Sequence, residues 1–301
     1  HAGIDKKYLD HPTIWEKLPN TKLLAEKISP DDTKFVYLHA GQLVKHILVM
    51  ATVSLAVITP FLILAFDGLE PKLVERWKLK GLMQKVWGSY RAPISKRYGK
   101  PHTPSAWVSF ITGKSLEEHG VDEWWCWGNR FLDWIRLKPP LRWIKGKRKI
   151  AERLGLKRRL VTEKDWKGKD IKTIFDLAKP SIPLFIPAYN EPTGLHEELN
   201  KALERGLKEY ENKAWEIHRI REKKLMENLS KDWKLLMCWF DLADLMGHLH
   251  MAKRPGKLYL AYKALEDLTL KVKQKLQKKT ILLIVSDHGM KISEDGMTGD
   301  H

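Results

Sequence analysis

Asp67, Asp244, His248, Asp287, His288 and His301 are the side chains whose types and positions could do chemistry in this sequence. Three of the four segments that carry them follow apolar runs: Asp67 comes after LILAF, Asp244 and His248 after LLMCWF, and Asp287-His288 after ILLIV. Histidine nitrogen and carboxylate oxygen are the donors that zinc and related divalent ions accept. Asp244 and His248 are four residues apart, so one helical turn would put them on the same face. His301 closes a glycine-containing segment, DGMTGDH, that could fold back towards the strand ends. Each piece alone is weak, because an aspartate after a strand more often closes a turn and a lone Asp-x-x-x-His pair more often faces solvent. Their shared strand context is what makes them support one another.

The elements that must position these groups can be read from the apolar pattern. FLILAF at 61–66, SIPLFIP at 181–187, LLMCWF at 235–240 and TILLIV at 280–285 are short apolar runs, as expected of strands buried on both faces. A further strand candidate covers 35–39. Helical spacing follows Asp67 in EPKLVERWKLKGLMQKVW, fills 193–231 with one possible break, and returns at 257–278. TPSAWVSFITG opens with Thr-Pro, an N-cap followed by proline at the first helical position, which puts Thr103 at the start of a short helix. Strands alternating with helices, and polar residues at the strand ends, predict an α/β fold. Its sheet is mostly parallel and its ligands lie beyond the carboxyl ends of the strands.

Composition narrows the class further. The chain has 301 residues, 30% charged and 43% hydrophobic, which suits a folded protein with a sizeable core. Its formal charge of +17 would attract nucleic acid, an anionic membrane or a phosphorylated substrate. No nucleic-acid recognition motif accompanies it, so a basic binding module with a vestigial site ranks last. Cys126 and Cys238 are far apart and outside any CxxC, which excludes a disulfide framework and a cysteine zinc site. Residues 122–180 are tryptophan-rich, then strongly basic (RWIKGKRKIAERLGLKRR), and read as an insertion or cap. Arg130, Arg136, Lys138 and Arg142 are its candidates for meeting an anionic substrate. The run 47–66 is nearly uncharged and about long enough to span a bilayer, but Pro60 divides it. Residues 61–66 therefore read as strand, while 47–60 remain open to a membrane-associated role. The run starts too far along for a cleaved secretory signal. The expected location is the cytoplasm or a membrane surface.

ILAFDGLEPKLVERW, TPSAWVSFITGKSLEEHGV, FDLADLMGH and LLIVSDHGM, followed by GDH, resemble the type I phosphodiesterase/nucleotide pyrophosphatase family of the alkaline phosphatase superfamily. The segments occur in that family's order, and the resemblance covers roughly residues 61–301. It implies an alkaline-phosphatase-like fold, with residues 61–301 as the catalytic domain and 1–60 as an N-terminal extension outside the resemblance. It also implies two divalent metal ions, with zinc first and manganese or iron compatible. Asp67, Thr103, Asp287 and His288 would hold one ion, and Asp244, His248 and His301 the other. Thr103 aligns with the family's nucleophile, which points to phosphodiester or pyrophosphate hydrolysis of a small phosphate-containing substrate through a phosphothreonyl intermediate. The physics agrees. A threonine hydroxyl is a poor nucleophile until a cation lowers its pKa, and a helix N-terminus favours the negative charge that results.

The sequence also departs from the family. Relatives often carry an asparagine soon after the His-Gly that ends the nucleophile helix; here Asn129 is the nearest candidate for substrate binding and its register is poor. Family members continue with further strands beyond the point corresponding to His301. Sulfatases need a cysteine or serine in a CxPxR-like setting, which neither cysteine occupies. Serine-using branches fit less well, since Ser105 and Ser109 miss the helix-start position. A membrane-associated phosphoryl or phospho-alcohol transferase, or a phosphomonoesterase, is the alternative within the superfamily.

Overall fold

The computed structural model describes residues 35–39, 59–84, 86–89, 92, 94–95, 97–135, 138, 151, 153, 155–166, 170–277 and 279–301. Strand β1 (Phe35–His39), β2 (Phe61–Phe66), helix α1 (Pro71–Arg76) and β3 (Val86–Trp87) come first. Next are α2 (Thr103–Thr112), α3 (Leu116–His119), β4 (Trp125–Cys126), α4 (Arg130–Ile135), β5 (Arg159–Leu160), α5 (Ile174–Leu177) and β6 (Ser181–Leu184). The chain continues through α6 (Thr193–Arg205), α7 (Leu207–Asn228), β7 (Leu235–Phe240), α8 (Leu242–His250), α9 (Pro255–Lys275) and β8 (Ile281–Ser286). It finishes in the short pair β9 (Lys291–Ile292) and β10 (Gly299–Asp300).

The main sheet runs in the order β3-β1-β8-β2-β7-β6, with every pairing parallel. Strands β2, β7 and β8 are buried along their whole length, so their side chains divide between two cores. Leu62, Leu64 and Phe66 point to the face covered by α7, α8 and α9, together with Leu236, Phe240, Leu282 and Ile284. Phe61, Ile63, Ala65, Met237, Trp239, Leu283 and Val285 face Trp107, Val108 and Ile111 of α2 and Ile174 and Phe175 of α5. The period-two alternation of strand side chains thus converts uniformly apolar runs into a helix–sheet–helix sandwich.

Three expectations need correction. The helical spacing after Asp67 yields only the six residues of α1, because Trp77 caps it and Lys78 takes a left-handed conformation (φ 52°). Its later apolar positions, Leu79 and Leu82, are buried from turns instead. SIPLFIP is a strand only to Leu184, since Phe185 also has positive φ (63°), which no extended strand accommodates. The N-cap of α2 is His102, with Thr103 the first helical residue, a one-residue shift at the helix boundary. The break in 193–231 does occur, at Gly206. The proposed membrane segment at 47–60 and most of the basic run at 136–150 lie outside the described residues. Among the described residues, no helix is long and apolar enough to cross a membrane. Both cysteines are free and buried.

One polar group crosses the apolar interior. Arg221 of α7 is 1% exposed, pairs with Glu191 at 2.7 Å and with Asp241, and lies 4.4 Å above the Trp239 ring. Asp241 is the N-cap of α8, so this ion-pair triad ties α7 to the helix that carries Asp244 and His248. Removing one partner of a buried pair strands the others without compensation. Arg221→Met is expected to lower unfolding stability by about 3–5 kcal/mol, read from the midpoint of urea unfolding.

Candidate active site

Parallel register brings the candidate residues to one edge of the sheet. Phe66 pairs with Phe240 and Ala65 with Val285, so the next residues beyond β2, β7 and β8 emerge side by side. Asp67 continues the ladder by one hydrogen bond, donating its N–H to the Phe240 carbonyl at 2.8 Å. Asp67, Asp287 and His288 are buried there, and Thr103 joins them from the first turn of α2, 4% exposed.

The donor atoms fall into two groups. In the first, His288 Nε2 lies 3.0 Å from Asp67 Oδ1, 3.5 Å from Asp287 Oδ2 and 3.2 Å from Thr103 Oγ1, with Thr103 Oγ1 3.4 Å from Asp67 Oδ1. In the second, Asp244 Oδ1 lies 3.4 Å from His248 Nε2 and 3.2 Å from His301 Nε2, and the two imidazole nitrogens are 3.0 Å apart. The i,i+4 spacing on α8 and the return of the chain through β10 therefore bring Asp244, His248 and His301 together. Among the described residues two metal-capable clusters result, Asp67–Asp287–His288 and Asp244–His288–His301, and His288 belongs to both. Its ring stacks on His301 with centroids 3.8 Å apart.

The residues present fit a divalent cation. Four donors placed tetrahedrally about zinc at 2.0–2.1 Å stand about 3.3 Å from one another, close to the separations in both groups. Asp287 is fully buried, yet neither of its carboxylate oxygens has a hydrogen-bond partner of normal geometry. Asp244 Oδ1 and His301 Nδ1 are orphaned in the same way. Buried, unpaired carboxylates are costly unless a cation or a proton compensates them. Burial above all, reinforced by the Asp244 charge, pushes Asp287 up to about 8. Burial, then Asp287 and Asp244, also raises Asp67 well above the carboxylate range. Asp244 shifts the opposite way, against its own burial, because His248, His301 and His288 surround it.

Residues that spacing alone did not single out hold these candidate donors in place. Ser286 Oγ accepts the Leu69 N–H at 3.0 Å and donates to the His288 carbonyl at 2.8 Å, clasping the β2 loop to the β8 loop. Glu70 Oε2 accepts the Met290 N–H at 3.2 Å from the same side. His248 Nδ1 is 2.9 Å from the Gly299 carbonyl, an acceptor that orients the ring with Nε2 towards Asp244. Lys100 pairs with Asp300 at 2.5 Å, fastening β10 beside His301. Ser286 lies inside the SDHG motif and could have been noticed; Glu70 and Lys100 carried no signal. Asn129 is not brought to this cluster. It is exposed, and its side-chain oxygen accepts the N–H groups of Phe131 and Leu132, capping α4.

Gly68 explains why a glycine follows Asp67. Its φ is +69°, and a Cβ there would sit 2.7 Å from the Asp244 backbone, so the loop after β2 touches the first turn of α8 through main chain.

A buried array of carboxylates and imidazoles around a hydroxyl, at the carboxyl edge of a parallel sheet, is the layout of a metal-dependent α/β hydrolase. The sequence profile of the type I phosphodiesterase/nucleotide pyrophosphatase family matches residues 61–298, and the chain belongs to that family. It is thus a phosphodiesterase/nucleotide pyrophosphatase-type hydrolase of a metal-dependent family, acting on a phosphate-containing small molecule. Comparison with curated proteins found no significant match, nor did comparison with solved structures.

Two outcomes follow from this geometry. Asp287 holds its proton to about pH 8 in the folded chain, against the ordinary carboxylate value of about 3.9 once unfolded. Its neutral form is therefore favoured below that ordinary value, and stability is lost as pH rises towards 8. In metal-free protein, Asp287→Asn should gain on wild type progressively between pH 5 and pH 9, measured by denaturant melts. A gap that stays flat or reverses would remove Asp287 as the source of strain. Gly68→Ala should displace the first turn of α8, which carries Asp244, and cut turnover by about a hundredfold. Steady-state kinetics on the variant would test this, with circular dichroism to confirm that it folds.

Proposed function

We propose that this chain cleaves a phosphodiester or pyrophosphate bond by attack of Thr103. The observation that carries the reading is the position of Thr103 Oγ1, buried at the start of a ten-residue helix and within 3.4 Å of both Asp67 and His288. Asp67, Thr103, Asp287 and His288 would hold one divalent ion, and Asp244, His248 and His301 a second. Nitrogen and oxygen donors of this kind suit zinc and would also accept manganese or iron. When bound, the ions would neutralise the phosphoryl oxygens and make the Thr103 hydroxyl and an attacking water more acidic.

Asp67 Oδ1 and His288 Nε2 hold Thr103 Oγ1 in a fixed orientation, and the N-terminal dipole of α2 favours charge on that oxygen. Oγ1 forms a bond to phosphorus while the opposite phosphorus–oxygen bond breaks, and the departing alcohol or phosphate takes up a proton. Water then attacks the phosphothreonyl group, returning the free threonine and releasing the phosphorylated product. Residues 122–180 are proposed as the cap over this site, a role that fits the packing of Trp124 against His196 and Trp239.

The test is hydrolysis of bis(p-nitrophenyl) phosphate and p-nitrophenyl phosphate by metal-loaded wild type and by Thr103→Ala. Diester turnover should stop on chelation and fall at least about a thousandfold in the variant, while metal content falls far less. Wild-type rates from Thr103→Ala would sink the nucleophile assignment.

A further inference from the structure

The loop after β2 carries Asp67 and turns at a glycine. Gly68 takes a left-handed conformation (φ 69°) and has no side chain to pack, and glycine is the residue with the most backbone freedom to lose. The donor atoms of Asp67, Asp287 and His288 lie within 4.8 Å of one another, so a small shift of this loop would part them. The Asp67 and Leu69 amides are tied to the sheet edge, at the Phe240 carbonyl and Ser286 Oγ. The Gly68 carbonyl and the Glu70 N–H are met from α9 instead.

Tyr262 meets both. Its hydroxyl accepts the Glu70 N–H at 2.8 Å and donates to the Gly68 carbonyl at 3.3 Å. A phenol has one proton to give and lone pairs to receive, so one oxygen satisfies both main-chain groups. The ring behind it cannot yield. Tyr262 is 1% exposed and lies in the core on one face of the sheet, with Leu258, Ala261 and Leu265 of α9. Trp77, which caps α1, packs edge to face on it with centroids 5.1 Å apart. Side chains in a close-packed interior keep one rotamer, so the hydroxyl is a fixed point to which the loop is held. Phenylalanine would fill the same space; the packing does not call for a hydroxyl, and the loop does. From Glu70 the constraint continues to the end of β8, because the Glu70 carboxylate accepts the Met290 N–H two residues beyond His288.

We propose that Tyr262 is a positioning residue whose hydroxyl presets the Asp67 loop for a divalent cation at Asp67, Asp287 and His288. It acts through the main chain of Gly68 and Glu70. A loop already ordered in its binding conformation costs less to bind, and the partners that orient metal ligands from outside carry about ten- to a hundredfold of metal affinity.

The inference rests on the cation site proposed above and not on attack by Thr103. Zinc is titrated calorimetrically into the metal-free full chain, as wild type, Tyr262→Phe and Val272→Ala. Tyr262→Phe keeps the ring and loses the hydroxyl. It should bind one zinc ion about tenfold more weakly, the low end for an outer hydrogen bond lost at a metal site. Val272→Ala removes buried volume farther along the same helix, so it weakens the fold away from the loop. Its zinc affinity should stay within about twofold of wild type.

Hydrogen exchange of the metal-free proteins gives a second readout. The Glu70 amide should be protected in wild type and exchange about tenfold faster in Tyr262→Phe, as expected for one lost hydrogen bond. Zinc affinity unchanged in Tyr262→Phe, or lowered equally in Val272→Ala, would overturn the proposal. So would an unprotected Glu70 amide in wild type, a result that needs no variant to fold. Failure of wild type to bind zinc would overturn the cation site and this inference together. Zinc binding that depends on Tyr262, without hydrolysis of bis(p-nitrophenyl) phosphate, would instead remove the reaction assigned to Thr103 and leave Tyr262 its role.

Discussion

The parallel pairing of β2 with β7 and β8 is the constraint on which the rest of this protein depends. Apart from Ser286 at the end of β8, each of these strands is apolar, and all are buried on both faces, so none can slip outward by one residue to expose a polar face. With register held by burial and by ladder hydrogen bonds, the residue that ends each strand has little freedom of placement. Asp67 and the Asp287-His288 pair emerge at the same edge because Ala65 faces Val285 across the ladder. The helix that carries Asp244 and His248 starts from the neighbouring strand end. Parallel sheets concentrate loops of one kind at one edge, which is why ligands gather there.

That concentration has an electrostatic cost. Asp67, Asp287 and His288 are almost completely removed from water, and Asp244 raises the proton affinity of both neighbouring carboxylates. The chain offsets part of this with imidazoles: His288, His248 and His301 hold Asp244 in its charged form. Orphaned oxygens on Asp287 mark where the protein's own groups stop compensating. A site of this kind is expected to store strain that a cation relieves, and the surrounding structure has to over-determine it. The Ser286 clasp, the Glu70 contact and the main-chain approach at Gly68 are the parts that do so.

Farther out, the same logic recurs at lower density. Arg221 neutralises Glu191 and Asp241 under the start of α8, and His196 beside Glu191 carries Trp124 of the tryptophan-rich segment on its ring. The route from the buried triad to the tryptophan-rich segment thus runs through the faces of His196, Trp124 and Trp239. His102, Ser105 and Asp122 form a second polar network on the Thr103 side, so both flanks of the site are braced by side-chain hydrogen bonds to neighbouring loops.

By itself the sequence determined the α/β class, five of the six strands of the central sheet and the residues that gather at its edge, but it placed Val86 and Trp87 of β3 in a helix. These depend on local properties: apolar run length, the i,i+4 spacing of Asp244 and His248, and the polar residues that end each run. It overextended α1, because Leu79 and Leu82 are apolar for reasons of burial from turns rather than of helical facing. It offered Asn129, whose amide is instead committed to capping α4. Glu70, Lys100 and the Asp122 network were invisible to it, since each acts on a partner between 17 and 220 residues away in the chain. Only the tertiary structure decided that the two groups of donor atoms share His288 and that β10 returns His301 to Asp244. Distances between donor atoms, and hence their fit to a cation, arise from packing across the sheet edge, which no local pattern encodes.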